Sequence, residues 1–295
     1  MKDLPAVMDK LEKLIRERKI NCFNIVGYQD GEWETREIIP TLNYMNCFSV
    51  IKAFTATAVG IAQDLGLLSV EDKILSYIDT GKAETEVSAM EDVTIRHLLT
   101  HTTGIEKRCL HTADRNELRT DDWLGHCLSQ PLSDKPGTRF MYSNSNFYLL
   151  SCIIRRACKK APDDFLYEHL FKPLEIKGYA FTRCPKGEVQ GGTGLFITSR
   201  DMAKLGVLYL DNGMWGGKRI LSEGWVREAT RNQIPHIAGR RYGFGMGVFD
   251  EGFCFMGALM QFVVVRKDLG LILAGHSNET NTDVLALINE ATSNS

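Results

Sequence analysis

Nowhere does this chain carry the run of about 20 apolar residues that a membrane-crossing helix needs, and neither sign of charge dominates it. With 35 lysines and arginines against 37 aspartates and glutamates, the formal net charge is -2. That balance gives no basic footprint for nucleic acid or an anionic membrane, so the partners expected are small molecules or short peptides. Cys-x-x-Cys pairs are also absent, although eight cysteines are scattered from Cys22 to Cys254 without clustering near histidine. Such thiols read as buried free cysteines in a reducing compartment. His97 and His101 stand four apart, but the glutamate of a His-Glu-x-x-His helix is not between them, and no metal or other cofactor is expected. No Gly-x-Ser-x-Gly elbow occurs, which disfavours an α/β-hydrolase triad. The glycines of Gly191-Gly192-Thr193-Gly194 follow no phosphate-loop spacing and read as a turn near a pocket. The first residues lack the apolar core of a signal peptide, so a cytoplasmic protein is expected.

What the chain does have is enough length, 295 residues, to bury a large core in one domain or two closely packed lobes. Leu4, Val7, Met8, Leu11, Leu14 and Ile15 fall at the spacing of an amphipathic helix. After it, Asn21–Trp33 reads as a strand ending in an Asp30-Gly31 turn, with Thr35–Ile39 as hairpin partner. An apolar helix beginning near Ser49 runs to about Ala62 and ends at Gly66; Ser69, with Asp72 three residues on, predicts a new helix start. The pattern from there to about Asn232 is largely helical. Strands return in Gln261–Gly275 around a Lys267–Gly270 turn, and a last amphipathic helix closes the chain. Strands at both ends around a helical middle predict one sheet assembled from distant segments, with helices packed on it.

One short pattern carries chemistry. Ser49 heads the only Ser-x-x-Lys in the sequence, with Lys52 one turn further into an apolar helix. Residues three apart share a helix face, so the lysine amine can fold back toward the serine hydroxyl. A serine in the first turn also offers its own backbone N–H to developing negative charge. Lysine acts as a base only when its pKa falls, and burial lowers it. The tetrapeptide alone proves little, since about one is expected by chance in a chain of this composition; the competing reading is an N-cap serine followed by a lysine whose head lies in water.

Longer segments change that balance. Phe48–Thr55, Thr94–Ile105, Pro136–Ile154, Phe165–Ile176, Gly191–Val226 and Tyr242–Phe249 occur in the order, and nearly the wording, of the class C β-lactamase-like serine hydrolases. The family includes esterases, D-amino-acid peptidases and 6-aminohexanoate-dimer hydrolases. The resemblance, from about Phe48 to Gly275, implies an α+β, penicillin-binding-like fold: an antiparallel sheet built from both chain ends with helices on it, plus a helical lobe. It is read as a single domain over 1–295, with the sheet lobe at roughly 1–65 and 235–295 and the helical lobe at roughly 66–234. It further implies Ser49 as acylated nucleophile and Lys52 as the lysine bonded to it. Tyr142 becomes the proton relay, and Asn144 the residue that orients Lys52 and contacts a substrate amide. A phenol can serve as acid or base if a neighbouring ammonium depresses its pKa, and either Lys52 or Tyr142 can take the serine proton. His101, in the His-Thr-Thr-Gly stretch, matches a structural turn, and a packed or turn-bonded imidazole is the reading for it.

The chain departs from that family at the third element, where lysine or histidine precedes x-Gly. The best match is Phe255-Met256-Gly257, followed by Ala258, Leu259 and Met260. Without a cation there, binding of β-lactam or D-alanyl carboxylates is weakened, whereas the Ala258 N–H can still be a second oxyanion donor. Phe255 and Met256, with Met260, are expected to form an apolar wall, and Leu259 and Met260 to crowd the pocket edge. Hydrolysis of a small ester, amide or peptide-like substrate therefore outranks two alternatives within or beside the fold: a β-lactamase or D-amino-acid peptidase, and a non-catalytic binding or sensory module. The sequence does not address oligomeric state.

Overall fold

The computed structural model describes residues 3–78, 90–239 and 241–293. Its main sheet has six strands in the spatial order Glu32–Glu37, Cys22–Gln29, Leu271–Ser277, Gln261–Arg266, Gly252–Gly257 and Gly247–Phe249, with every pairing antiparallel. The first two strands come from the beginning of the chain and the other four from its end. Asp30 and Gly31 both take left-handed φ, +49° and +92°, the geometry a two-residue hairpin turn requires. Hence the second strand starts at Glu32, earlier than its apolar residues alone suggest.

Period-two alternation divides the sheet's side chains between two apolar layers. Phe262, Val264 and Leu273 face an outer layer with Leu4, Met8, Leu11 and Ile15 of the helix Leu4–Glu17 and Leu287 and Ile288 of the helix Val284–Thr292. Val263, Val265, Ile272 and Ala274 face the larger inner layer. Leu271–Ser277 is buried at all seven positions, as expected of a strand covered on both faces. Arg18 and Glu290, 2.6 Å apart, tie the two terminal helices together at the surface, where such a pair contributes little.

Inside the inner layer lies the helix Ile51–Asp64, buried without a break from Ile51 to Ala62. A helix that is apolar all round has no solvent face to present, and so it takes the middle of the molecule. It packs against the helix Asn144–Cys158. Gly66 ends it with φ +71°.

The middle of the chain is less helical than its periodicity predicts. Ser69 and Asp72 do bond as a capping pair would, with Ser69 N donating to Asp72 Oδ2 over 2.7 Å. In the described residues that follow, up to Ile78, there is a single 3₁₀ turn, Ile74–Ser76. The capping chemistry there stabilises a turn, because the backbone N–H of Ile74 goes to Val93 O instead of a helix. Further on, Leu195–Ile197 forms a small sheet with Ala180–Phe181 and Met45–Asn46. Apolar runs of three residues are too short for periodicity to separate strand from helix.

Packing on the central helix is tight enough to test. A Cβ at Gly60 would lie 2.6 Å from Trp225 Nε1, against a tryptophan that is itself buried. Gly60→Ala is therefore expected to lower unfolding free energy by about 1–3 kcal/mol through overpacking, despite the helix propensity it gains. Urea unfolding checks this; a variant as stable as the wild type would mean that Trp225 repacks without strain.

Candidate active site

Three separate parts of the chain meet at one amine. Ser49 sits in the 3₁₀ turn Phe48–Val50 that leads directly into the central helix. The turn is entered from Met45–Asn46, which is paired to the small sheet, and Cys47 N donates to Leu195 O over 2.8 Å. Phe48 adopts φ +47°, a conformation costly for a side chain with a Cβ; Asn46 Oδ1 holds it by accepting from Phe48 N at 2.9 Å. Among the described residues nothing accepts the Ser49 N–H.

Lys52 is 1% exposed. Its Nζ donates toward Ser49 Oγ at 3.0 Å, Asn144 Oδ1 at 2.7 Å and Gly192 O at 2.6 Å, and it lies 4.7 Å from the centroid of the Tyr142 ring. All three partners are neutral oxygens. With no carboxylate in contact, burial dominates and pushes the amine from its ordinary 10.5 down to about 7. This environment supports both forms. An ammonium places its three hydrogens on the three oxygens, whereas a neutral amine keeps Asn144 and Gly192 and turns its lone pair to the serine hydroxyl.

Asn144 begins the helix Asn144–Cys158. Its Nδ2 donates to Leu110 O at 3.1 Å, which leaves Oδ1 facing Lys52. Tyr142, two residues before, faces the same cavity as Ser49; burial pushes its phenol up to about 12, the interaction with the Ser49 side chain opposing only in part. The depression by a neighbouring ammonium that the sequence suggested is thus overruled by desolvation. His101 is fully buried, with φ +57°. Its Nδ1 accepts from Ser143 N at 3.3 Å and faces Asn146 Nδ2 at 3.1 Å, and its ring lies 4.4 Å from that of Tyr142. Burial holds it well below the usual histidine range, so it is a neutral, turn-bonded ring. His97 Nδ1 instead accepts from Thr94 N at the start of its own short helix. Among the described residues no group of three or more His, Cys, Asp or Glu could hold a metal ion.

The strand Gly252–Gly257 brings its end against Ser49: a Cβ on Gly257 would lie 3.2 Å from Ser49 N and would collide with Cys47 O. Ser49, Tyr142, Gly257 and Ala258 line one open cavity of about 990 Å³, together with Phe140, Ile237, Tyr242, Val248 and Met256. Phe255 does not line it. Alternation along the strand sends Phe253 and Phe255 inward, where Phe255 is 1% exposed and lies 6.0 Å from Tyr209, ring to ring. Met256, 38% exposed, is the residue that reaches the cavity. Met260 is buried in the outer apolar layer and does not contribute either.

Some participants were not singled out from the sequence. Gly192 O and the Gly191 carbonyl, which accepts from Thr55 Oγ1 at 2.8 Å, dock the Gly-Gly turn onto the central helix. The glycine pair marked a turn, but nothing local named its carbonyl as the amine's partner. Tyr242 and Phe140, 5.3 Å apart, stand in segments matched to the family without a role.

A Beta-lactamase family model matches residues 29–292. Protein flp of Staphylococcus aureus (strain MW2) is 29% identical over 171 residues, which is 57% of this chain and 34% of that protein. The chain thus spans about a third of the length of this relative. A solved structure of a candidate 6-aminohexanoate-dimer hydrolase from Bacillus anthracis superposes with a TM-score of 0.81 at 18% identity, covering 95% of this chain and 80% of that one. The octameric penicillin-binding protein homologue from Pyrococcus abyssi gives 0.74 at 19% identity, over 98% and 76%.

Lys52 leaves a thermodynamic trace that does not depend on any reaction. Its folded pKa of about 7 lies below the ordinary 10.5, so between those values the unfolded chain holds a proton that the folded chain lacks. Stability from this group therefore rises with pH across that window, and below it the folded state bears the whole cost of a buried ammonium. Lys52→Met removes that cost. Its stability relative to wild type should be most favourable below about pH 7 and should fall away toward about pH 10, as urea unfolding at the two ends will measure; a pH-independent difference would refute it.

Proposed function

The chain belongs to the Beta-lactamase family, and on that premise we propose that it is a serine hydrolase working through an acyl-enzyme on Ser49. The observation that carries the reading is the 3.0 Å approach of the buried Lys52 Nζ to Ser49 Oγ at the wall of an open cavity. Neutral Lys52 takes the hydroxyl proton as Oγ attacks the carbonyl carbon. The carbonyl π electrons move to oxygen, and the N–H groups of Ser49 and Ala258 receive that oxyanion. The intermediate collapses with the leaving group expelled, and Tyr142, whose phenol keeps its proton at neutral pH, hands that proton over and is reprotonated from Lys52. Water then repeats the sequence on the ester of Ser49 and releases the acid.

A division of labour between the two candidate bases follows from burial. It disfavours charge on both groups, so the amine sheds its proton easily and the phenol does not. Lys52 is therefore assigned as base and Tyr142 as proton donor, with Asn144 holding Lys52 in place.

Cavity chemistry supports an uncharged acyl group. Met256, Ile237, Val248 and Phe140 are apolar, there is no aspartate or glutamate among the described lining residues, and the arginine that lines it, Arg241, is already paired with Asp250 at 2.6 Å. The inward turn of Phe255 means that no side chain from the family's basic position meets a substrate carboxylate. Short esters and amides are the substrates proposed. The Bacillus anthracis neighbour is named for hydrolysis of a 6-aminohexanoate dimer, which agrees with that class.

A fluorophosphonate probe followed by intact-mass measurement tests the chemistry. One adduct is expected on the wild type and none on Ser49→Ala; an unlabelled wild type would favour a binding module. The labelling rate should rise with pH through about 7 and then level, since the neutral amine is the reactive form, and Lys52→Met should slow it by about 10²–10⁴-fold. Turnover of short-chain nitrophenyl esters should exceed that of a chromogenic cephalosporin, and the reverse order would move the assignment to β-lactam hydrolysis.

A further inference from the structure

Behind the proposed oxyanion donor lies a buried polar network that the reaction sequence does not use. Gly257 and Ala258 enter the turn Ala258–Met260, in which Leu259 and Met260 both take left-handed φ, +58° and +56°. Two successive side-chain-bearing residues in that region cost roughly 1–3 kcal/mol each and persist only where surrounding contacts over-determine them.

Leu259 O is the point of capture. Gln261 Nε2 donates to it at 3.0 Å, Ser277 Oγ at 3.0 Å and Glu279 N at 3.4 Å. The amide of Gln261 also donates to Ser277 O at 2.6 Å. Two carbonyl acceptors on the same side fix which end of the amide is nitrogen, since the flipped arrangement would set oxygen against oxygen twice. Its Oε1 then faces His276 Nδ1 at 2.5 Å, so that nitrogen carries hydrogen. His276 Nε2 lies 2.8 Å from Ile197 O, in the strand paired with Met45–Asn46 just ahead of Ser49. Burial pulls the ring toward its neutral form, to about 4, while two acceptors favour hydrogen on both nitrogens; the orientation of Gln261 does not depend on the outcome, because its two carbonyls set it. Gln261, His276 and Ser277 are each no more than 1% exposed.

We propose that Gln261, oriented by the carbonyls of Leu259 and Ser277 and seconded by the Ser277 hydroxyl, is a positioning residue that holds the Ala258–Met260 turn in its left-handed form and thereby aims the Ala258 N–H at the oxyanion. The network reaches both halves of the oxyanion site: through Leu259 O it fixes the turn that carries Ala258, and through Ile197 it touches the small sheet from which Ser49 is launched. Neither Gln261 nor His276 lines the cavity. This inference rests on the serine-hydrolase reading above.

Two variants separate donation from packing. Gln261→Glu keeps the size of the side chain and can still meet His276, but an ionised carboxylate has no N–H for Leu259 O. Ser277→Ala removes the second donor with a loss small enough for the fold to tolerate. Turnover of a short-chain nitrophenyl ester is measured per Ser49 labelled by the fluorophosphonate, so that unfolded protein is not counted. Expected are a fall in kcat of about 10- to 100-fold for Gln261→Glu and several-fold for Ser277→Ala, each with KM near the wild-type value, because a misaimed oxyanion donor weakens the transition state alone. Should both variants keep wild-type kcat per labelled Ser49, the positioning role is overturned and the hydrolase reading stands. A wild type that takes no label at Ser49 overturns the hydrolase reading first, and the positioning role with it.

Discussion

Burial of one amine in an apolar helix is the constraint around which the site is arranged. The core of this fold needs the Ile51–Asp64 helix to be surrounded, and Lys52 lies on it. An ammonium there is expensive, and among the described residues no carboxylate contacts it. The chain supplies three neutral oxygens, from Ser49, Asn144 and Gly192, drawn from the Phe48–Val50 turn, the Asn144–Cys158 helix and the Gly191-Gly192 turn. These make the charged form tolerable and the neutral form useful. An aspartate in place of Asn144 would hold the proton on the amine and remove the proposed base; a wholly apolar surrounding would leave the amine unoriented.

The same burial acts on Tyr142 with the opposite consequence. Desolvation penalises charge, so it lowers the amine to about 7 and raises the phenol to about 12. Two groups that contact one serine hydroxyl are thereby driven apart in proton affinity, which is the general way a site comes to hold an acid and a base together at neutral pH. No separate charge is needed to create the difference. The neutral His101 ring, whose Nδ1 accepts from Ser143 N, steadies the backbone between Tyr142 and Asn144 without adding a third titrating group.

Much of this was legible in the amino-acid sequence, and the limits have physical causes. The sheet from both chain ends could be read because the Asp30-Gly31 and Lys267–Gly270 turns and the apolar runs between them are local signals. Ser49 and Lys52 could be paired because helical spacing brings them together. Gly192 could not be placed on Lys52, 140 residues away in sequence, by any local pattern. Phe255 was put on the wrong side of its strand because side-chain direction depends on register, and a one-residue shift exchanges the two faces; its pairing with Val263 turns Phe255 into the inner layer, and Met256 is the neighbour that lines the cavity. The predicted helix after Ser69 failed for a related reason, since its capping residues were right and the tertiary partner of Ile74 was not visible.

Backbone strain is concentrated around this geometry and is held there by nearby side chains. Ten described residues other than glycine have positive φ, and half of them, Phe48, His101, Leu110, Leu259 and Met260, belong to the segments that surround Ser49 and Lys52. Three of these positions have visible restraints: Asn46 Oδ1 on Phe48 N, Asn144 Nδ2 on Leu110 O, and the donors that converge on Leu259 O. Strained conformations concentrate where surrounding structure is able to hold them. Here the restraining side chains include Asn144, which also contacts the amine, and this sharing ties backbone shape to proton chemistry. Relaxing Leu110 would turn Asn144 away from Lys52, and releasing Leu259 would free the turn beside Ser49. A site built in this way cannot be loosened at one edge without altering the acidity or the aim of a group at the other.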